Sequence, residues 1–497
     1  MNEVSRLSRR RVMQGAGAVV AGAALAACGA TPTPQVVEKV VTEIVEREIT
    51  TIVEGTPQVV KETVIVEKVV EETVVVEKEV TVQAVQEPVE LRVSAWGDTP
   101  DKNINDRVAA AFFYAQGQIK MIPEEYVGGY YDKVKVNFAG GTAPDLVYME
   151  GYQWQPFADF VVPLDDFIER DEYKDKWASV DNYDMLTTWR GKTYLTVIDT
   201  GPIVMFYNKM LFDKQGVPYP TNDWTFADFK ELAAKMTFEE GGIQYYGYSI
   251  TGAPGSYVWW IQWLRMDGKL EFDTLQEPHV AQWTQPEIVD ALQWVNQDIL
   301  NLGYAPTPAT LQGGGIDVAT NRVAMCVQGP WALPRYYGLQ ALAEGGVSYD
   351  VVMPPKGSIG STPDAEIQGH MIASQTKHQE EAWEALKFWM GEETAKITAE
   401  EGRMCGAPEY TEKYWVPIAT EKYHFEHGDV FVNAQLHGQA PMCGGAGANY
   451  TAFDSASAPL QVAADAMATG NKSAQEALTE ANDLMQKALD DYWKKQG

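Results

Sequence analysis

The chain has 497 residues, 45% apolar and 22% charged, which is ordinary for globular protein and long enough for two or three domains of about 150 residues each. Its formal net charge of −30 argues against nucleic acid and anionic lipid headgroups as partners. Four cysteines are too few for a disulfide scaffold.

The first 27 residues read as an export signal. Ser8-Arg9-Arg10-Arg11-Val12-Met13 has the form of a twin-arginine signal, and an apolar stretch from Ala16 to Ala27 follows it. That stretch is shorter than the roughly 20 apolar residues a membrane span requires. It ends in Leu25-Ala26-Ala27-Cys28, the small-residue exit of a bacterial lipoprotein signal. Cleavage there makes Cys28 the lipid anchor of an extracytoplasmic protein on the cell membrane, and the mature chain then carries a charge near −33. Cys326, Cys405 and Cys443 remain. A bridge between Cys405 and Cys443 would leave Cys326 free, and spacing alone does not decide it.

Residues 28–88 are rich in Val, Glu, Lys and Thr, with internal repeats. Thr33-Pro34-Gln35-Val36-Val37 returns as Thr56-Pro57-Gln58-Val59-Val60, and Thr63 to Glu72 is echoed by Thr73 to Val82. Val37, Val40, Val41, Ile44 and Val45 keep helical spacing, whereas Val64, Val66, Val74 and Val76 alternate as in a strand. The segment reads as a stalk, with a self-associating coiled coil as the alternative. Its reach is roughly 90 Å if helical and about 200 Å if extended.

The body begins near Val89. Glu90 to Trp96 reads as a strand ended by Gly97-Asp98. Ala143 to Tyr148 reads as a short buried strand after a glycine-rich turn. Helices are expected after Thr225, over Lys377 to Met390, and over Ser473 to Lys487. Ser473 and Glu476 are spaced as a capping box. The alternation of helix and strand signals points to an α/β architecture.

Five motifs then resemble, in order, the extracellular solute-binding proteins of ABC importers, in the maltose-binding-protein-like group. They are Gly141-Thr142-Ala143-Pro144-Asp145 with Val162-Pro163-Leu164-Asp165; Tyr207-Asn208-Lys209; Trp224-Thr225-Phe226; Asn321-Arg322-Val323 with Gly329-Pro330-Trp331; and Ser374-Gln375-Thr376-Lys377 through Trp383. The resemblance runs from Val89 to the C-terminus. It implies a two-lobed periplasmic-binding-protein-like fold of type II, with a hinge and a ligand cleft between the lobes. The first lobe is expected over residues 89–198 plus 355–403, and the second over 199–354 plus 404–497.

The resemblance also implies a ligand site. Trp96 and Asp98 close the first strand, where open α/β sheets bind ligands. Glu150, Tyr152 and Gln153 follow the Pro144-Asp145 strand, and Asp199 and Thr200 precede the crossing into the second lobe. Trp331 and Trp260 are the stacking aromatics, with Tyr450 and Asp454 as further contacts. Tyr152-Gln153 stands where maltose-binding protein has an Asp-Arg pair, which separates this chain from maltose. The chain has 15 tryptophans. Indole faces take the C–H face of a sugar while carboxylates take its hydroxyls, so the expected ligand is a carbohydrate. The expected partner is an ABC permease. The alternatives are a non-sugar solute such as glycerol phosphate or a polyamine, or an extracellular carbohydrate-active enzyme. No nucleophile elbow, phosphate loop or dinucleotide fingerprint is present, so the expectation is a binding protein without cofactor. His424, His427 and His437 with Cys443 do not have zinc-site spacing, and no metal is expected.

Overall fold

The computed structural model describes the backbone of residues 36–53 and 56–73, and residues 87–496 apart from 97–98, 127, 174–179, 181–182, 251–258, 312–315, 317, 341–347 and 441–457. Cys28, Asp98, Cys443, Tyr450 and Asp454 lie outside the described residues. The chain divides into two compact units, Met1–Val85 and Gln86–Gly497.

In the first unit, Val36–Val53 and Thr56–Thr73 are strands of 18 residues each. They pair antiparallel from Val36 opposite Thr73 to Val53 opposite Thr56. No coiled coil forms among the described residues. The abundance of Val, Ile and Thr accounts for this, since branching at Cβ narrows side-chain freedom in a helix and suits a pleated strand. A strand of this length covers roughly 60 Å at about 3.3 Å per residue, so the doubled chain has far less reach than a single extended one.

The second unit holds two larger sheets. The first has six strands in the order Met404–Cys405, Asp199–Thr200, Ile367–Ile372, Leu146–Glu150, Val89–Trp96, Ile119–Tyr126. The last three are mutually parallel. Helices Thr99–Gln116 and Tyr130–Gly140 make the crossovers between them, as parallel pairing requires. The strand Val89–Trp96 buries Leu91 and Val93 and exposes Glu90 and Arg92, and from Val93 to Ala95 it is buried on both faces.

Two of the resemblance motifs meet here. Gly141 ends its helix at φ 68°, and its N–H bonds to Phe138 O. Such a left-handed cap favours glycine. Four residues on, the Asp145 carboxylate accepts from Arg92 N at 2.8 Å and from Thr376 Oγ1 at 2.5 Å. The Pro-Asp motif therefore locks the first strand to the turn that carries the last motif.

The second sheet runs Phe238–Glu240, Ile243–Ser249, Val323–Gln328, Val204–Asn208, Tyr349–Val352. Val323–Gln328 and Val204–Asn208 are buried at every position, as central strands covered on both faces are. Asn208 closes its strand and caps the helix Lys209–Gln215 by accepting from Leu211 N at 3.0 Å. Its amide donates to Val318 O at 2.8 Å and Asn321 Oδ1 at 2.7 Å. Thr225 and Asp228 form a capping box, and Ser473 and Glu476 bond reciprocally at the start of Ala474–Gln496. The helix expected over Lys377 to Met390 is Gln379–Trp389, with Ala382, Trp383, Leu386 and Trp389 buried.

The chain passes from the first sheet to the second between Thr200 and Val204, and back between Val352 and Ile367. After Cys405 it returns, as Trp415, Tyr423 and Phe431 pack with Phe206 and Val351 of the second sheet. The first sheet thus keeps Asp199–Thr200 and Met404–Cys405, both of which the expected boundaries assign to the second lobe. Strands this short have too little apolar pattern to reveal which sheet they pair with. Among the described residues no helix is long and apolar enough to cross a membrane.

Cys405 is a thiol that donates to Ala395 O at 3.2 Å, and the buried Cys326 Sγ lies 3.6 Å from Tyr336 Oη. Neither is bridged.

Asn208→Ala leaves buried backbone and amide partners unmatched and removes a helix cap. It should lower stability by about 3 kcal/mol, read as a lower denaturation midpoint at unchanged slope. A loss below about 0.5 kcal/mol would show that Asn208 is not the pin between these elements.

Candidate binding cleft

The carboxyl ends of the parallel strands face a cavity of about 290 Å³. Trp96 and Glu150 are the last residues of their strands and both line it. A polar network holds this edge. Ser94 Oγ lies 2.7 Å from Tyr130 Oη and accepts from Tyr148 N at 3.0 Å, while Tyr130 Oη donates to Tyr148 O at 2.7 Å. Trp96 stacks on Tyr130 with ring centres 4.9 Å apart, and Tyr131 meets it edge-on at 5.9 Å. Tyr131 Oη also donates to Glu150.

The second sheet contributes Trp331. Val323–Gln328 runs antiparallel to Val204–Asn208, with Gln328 opposite Val204. Gly329 and Gly201 therefore emerge side by side, and the indole of Trp331 lies against both. A Cβ on Gly329 would fall 2.1 Å from Trp331 Cζ3, and one on Gly201 2.5 Å from the same atom. The two glycines are the shelf on which the ring rests. Trp259 meets Trp331 edge-on at 6.0 Å.

Carboxylates complete the wall: Asp101, Glu150, Asp199 and Glu366, with Arg403 as the one cation among the described lining residues. Arg403 Nη2 pairs with Asp101 Oδ1 at 2.8 Å. Glu366 precedes the strand Ile367–Ile372 and takes one hydrogen bond from Gln368 through Oε1 at 3.3 Å. Its Oε2 has no hydrogen-bond partner, nor does Oδ1 of Asp199. Burial raises the Asp199 carboxyl to about 7; Arg403 opposes the shift, and Asp101 and Glu150 add to it. Burial, then the charges of Asp364, Glu150 and Asp199, push Glu366 well above the carboxylate range.

Of the residues expected from sequence, Trp96, Glu150, Tyr152, Asp199, Thr200 and Trp331 are brought to this one cavity. Gln153 is not. Its N–H closes a turn onto Glu150 O at 3.0 Å, and its side chain bonds to Tyr152. Trp260 is not a wall residue either. It is buried in the core, edge-on to Trp283 at 6.3 Å. The neighbouring Trp259 lines the cavity instead, because successive residues at a helical start point about 100° apart. Asp101, Tyr131, Tyr148, Trp259, Glu366, Gln368 and Arg403 were not foreseen. Tyr148 was within reach of sequence reasoning, since it shares a strand face with Glu150. Glu366 and Gln368 were not, because their position depends on the register that sets Gln368 opposite Glu150.

His427 lies elsewhere, with Nδ1 2.7 Å from Asp350 Oδ2 and Glu426 nearby. Glu426 is itself paired with Lys209.

Residues 118–396 match the family model described as bacterial extracellular solute-binding protein. The chain belongs to that family. A curated Brucella abortus (strain 2308) protein, named as a binding protein, is 26% identical over 293 residues, which are 54% of this chain. The chain spans 64% of the length of that relative. The Listeria monocytogenes ABC substrate-binding protein in complex with cycloalternan superposes with a TM-score of 0.68 at 21% identity, over 81% of this chain and 99% of that one. A Thermotoga lettingae ABC transporter solute-binding protein bound with α-D-tagatose gives 0.64 at 20%, over 81% and 100%. These solute-binding proteins share the two-lobed type II periplasmic fold with the present chain.

Asp199 gives the cleft a pH dependence. Between about pH 4 and 7 the folded chain holds a proton that the unfolded chain has released, so the contribution of this group to stability is full below pH 4 and is lost as pH rises to 7. Asp199→Asn should raise the melting temperature at pH 8 and leave it nearly unchanged at pH 4. An equal effect at both pH values would remove ionisation as the cause.

Proposed function

We propose that this chain is the lipid-anchored receptor of an ABC importer, capturing a carbohydrate in the interlobe cleft and releasing it unmodified to a membrane permease. The observation that carries the proposal is the facing of Trp331, on its glycine shelf, towards the carboxylates of Glu150, Asp199 and Glu366 across one cavity. An indole face receives the C–H face of a pyranose or furanose ring. The carboxylates accept its hydroxyls, and the unmatched oxygens of Asp199 and Glu366 make an ill-fitting ligand unfavourable. Relatives of the same fold hold cycloalternan and α-D-tagatose, both carbohydrates. Closure follows if the ligand bridges residues from both sheets, since it then binds the closed form more tightly than the open one. Glycerol phosphate suits the cleft poorly, as four carboxylates would surround its anion. Export and anchoring rest on the signal ending at Cys28.

Thermal shift against a panel of mono- and oligosaccharides tests the binding step. A ligand at 100 times its dissociation constant should add about 2.7 kcal/mol of stability and be recovered chemically intact. Trp331→Ala should weaken that ligand at least tenfold while the chain stays folded. Cleaved or altered sugar in the supernatant would mean an enzyme, and no shift with any sugar would remove the carbohydrate.

Anchoring is tested separately. Cys28→Ala should abolish incorporation of labelled fatty acid and release the protein from the membrane fraction, with ligand affinity unchanged. Retention of label would place the anchor elsewhere.

A further inference from the structure

We infer that the cleft recognises a protonated amine on its ligand, so that within the carbohydrate reading, on which this inference rests, the solute is an amino sugar or an amine-bearing oligosaccharide. Charge and geometry carry the argument. Among the described lining residues four carboxylates face one guanidinium, and that guanidinium pairs with Asp101. Asp199 and Glu366 stand on the same cavity, and no second cation is among its described lining residues. Glu366 is 6% exposed, yet its Oε2 has no hydrogen-bond partner. A buried carboxylate oxygen in that condition is unfavourable unless a donor arrives with the ligand.

Neutral hydroxyls could supply donors but not charge. The charges of Glu150 and Asp199 add to the burial that raises Glu366, so around a neutral sugar that carboxyl keeps its proton. An ammonium group relieves both deficits, offering three donors and a positive charge in one atom. The aromatic wall adds to this. Trp96, Tyr131, Trp259 and Trp331 present rings to the same space, and ring faces attract cations. Asp364, fully buried two residues before Glu366, raises that carboxyl further when ionised, and burial holds its own carboxyl well above the usual range.

The test is calorimetric titration of the full chain with four kinds of probe: glucosamine oligomers of two and three units, the same oligomers N-acetylated, neutral maltotriose and mannotriose, and spermidine. Acetylation removes the charge and keeps the ring. The inference expects glucosamine oligomers to bind at least tenfold more tightly than their acetylated forms. It also expects protons to leave the carboxyls on binding at pH 7, seen as an enthalpy that changes with the ionisation heat of the buffer. Glu366→Gln should reduce the amine-to-acetyl preference at least fivefold. Glu150→Gln is the second variant should the first fail to fold, and proton release from the unaltered chain needs neither.

Neutral or acetylated oligomers binding as tightly as the amines would overturn the inference and leave the carbohydrate reading standing. Spermidine binding without any sugar would uphold amine recognition and overturn the carbohydrate reading. An amine preference with no proton release, undiminished in both variants, would place the recognition outside these carboxylates and overturn the inference. Binding of no probe at millimolar concentration would overturn it as well.

Discussion

The cleft depends on one close approach, that of the Trp331 ring to two residues without side chains. Gly201 lies on the passage from the first sheet to the second, and Gly329 follows the central strand of the second sheet. Antiparallel pairing of Gln328 with Val204 brings them together. The backbone of Gly201 also donates to Glu366 O at 3.2 Å, so the same short passage positions the indole and the deepest carboxylate. Any side chain at Gly201 would press on the ring and approach Glu366 Oε1, since its Cβ would stand 3.4 Å from that atom. The apolar and the acidic halves of the site are therefore set by one strand crossing. Neither half can shift without moving the other, because packed protein transmits small displacements instead of absorbing them.

The fold was legible because its signals are local. Thr225 with Asp228 and Ser473 with Glu476 carry helix starts within four residues. The alternation along Glu90–Trp96 carries a strand within seven. The motifs that resemble the family have physical reasons as well: Asp145 joins two segments far apart in the chain, and Asn208 ends a strand and starts a helix with one side chain. Cleft residues at strand ends, such as Trp96 and Glu150, were legible for the same reason, because a strand end is visible in the sequence and ligands bind there. What could not be read depends on pairing. Glu366 and Gln368 join the site through the register of an antiparallel strand that returns more than 200 residues after its partner. Arg403 joins it through an ion pair with Asp101 across some 300 positions. Trp259 and Trp260 differ by a single helical step, and only the packing of Trp260 on Trp283 decides which of them meets the cavity. The N-terminal repeats failed differently. Their apolar spacing suits two periods, and the antiparallel pairing of the strands, not the pattern within either one, selects the extended form.

The net charge of −30 acquires two meanings once the carboxylates are placed. Many are paired at the surface, as Glu124 is with Arg92 and Glu90 with Lys120. Exposed pairs of this kind add little to stability and leave solubility as their main effect. Glu150, Asp199 and Glu366 are different, because all three line one cavity at the edge of the first sheet. A purely structural core has no use for such a group, since apolar residues of equal volume would be at least as stable. The arrangement is intelligible if part of the chain's stability is held back in the empty cleft and recovered on binding. A ligand that supplies the missing donors gains affinity from groups already held in position, without the ordering of side chains that binding otherwise requires. The carboxylates stand on the first sheet and Trp331 follows a strand of the second. A solute that supplies donors to the one and a ring face to the other contacts both sheets at once, so it binds the closed form more tightly than the open one.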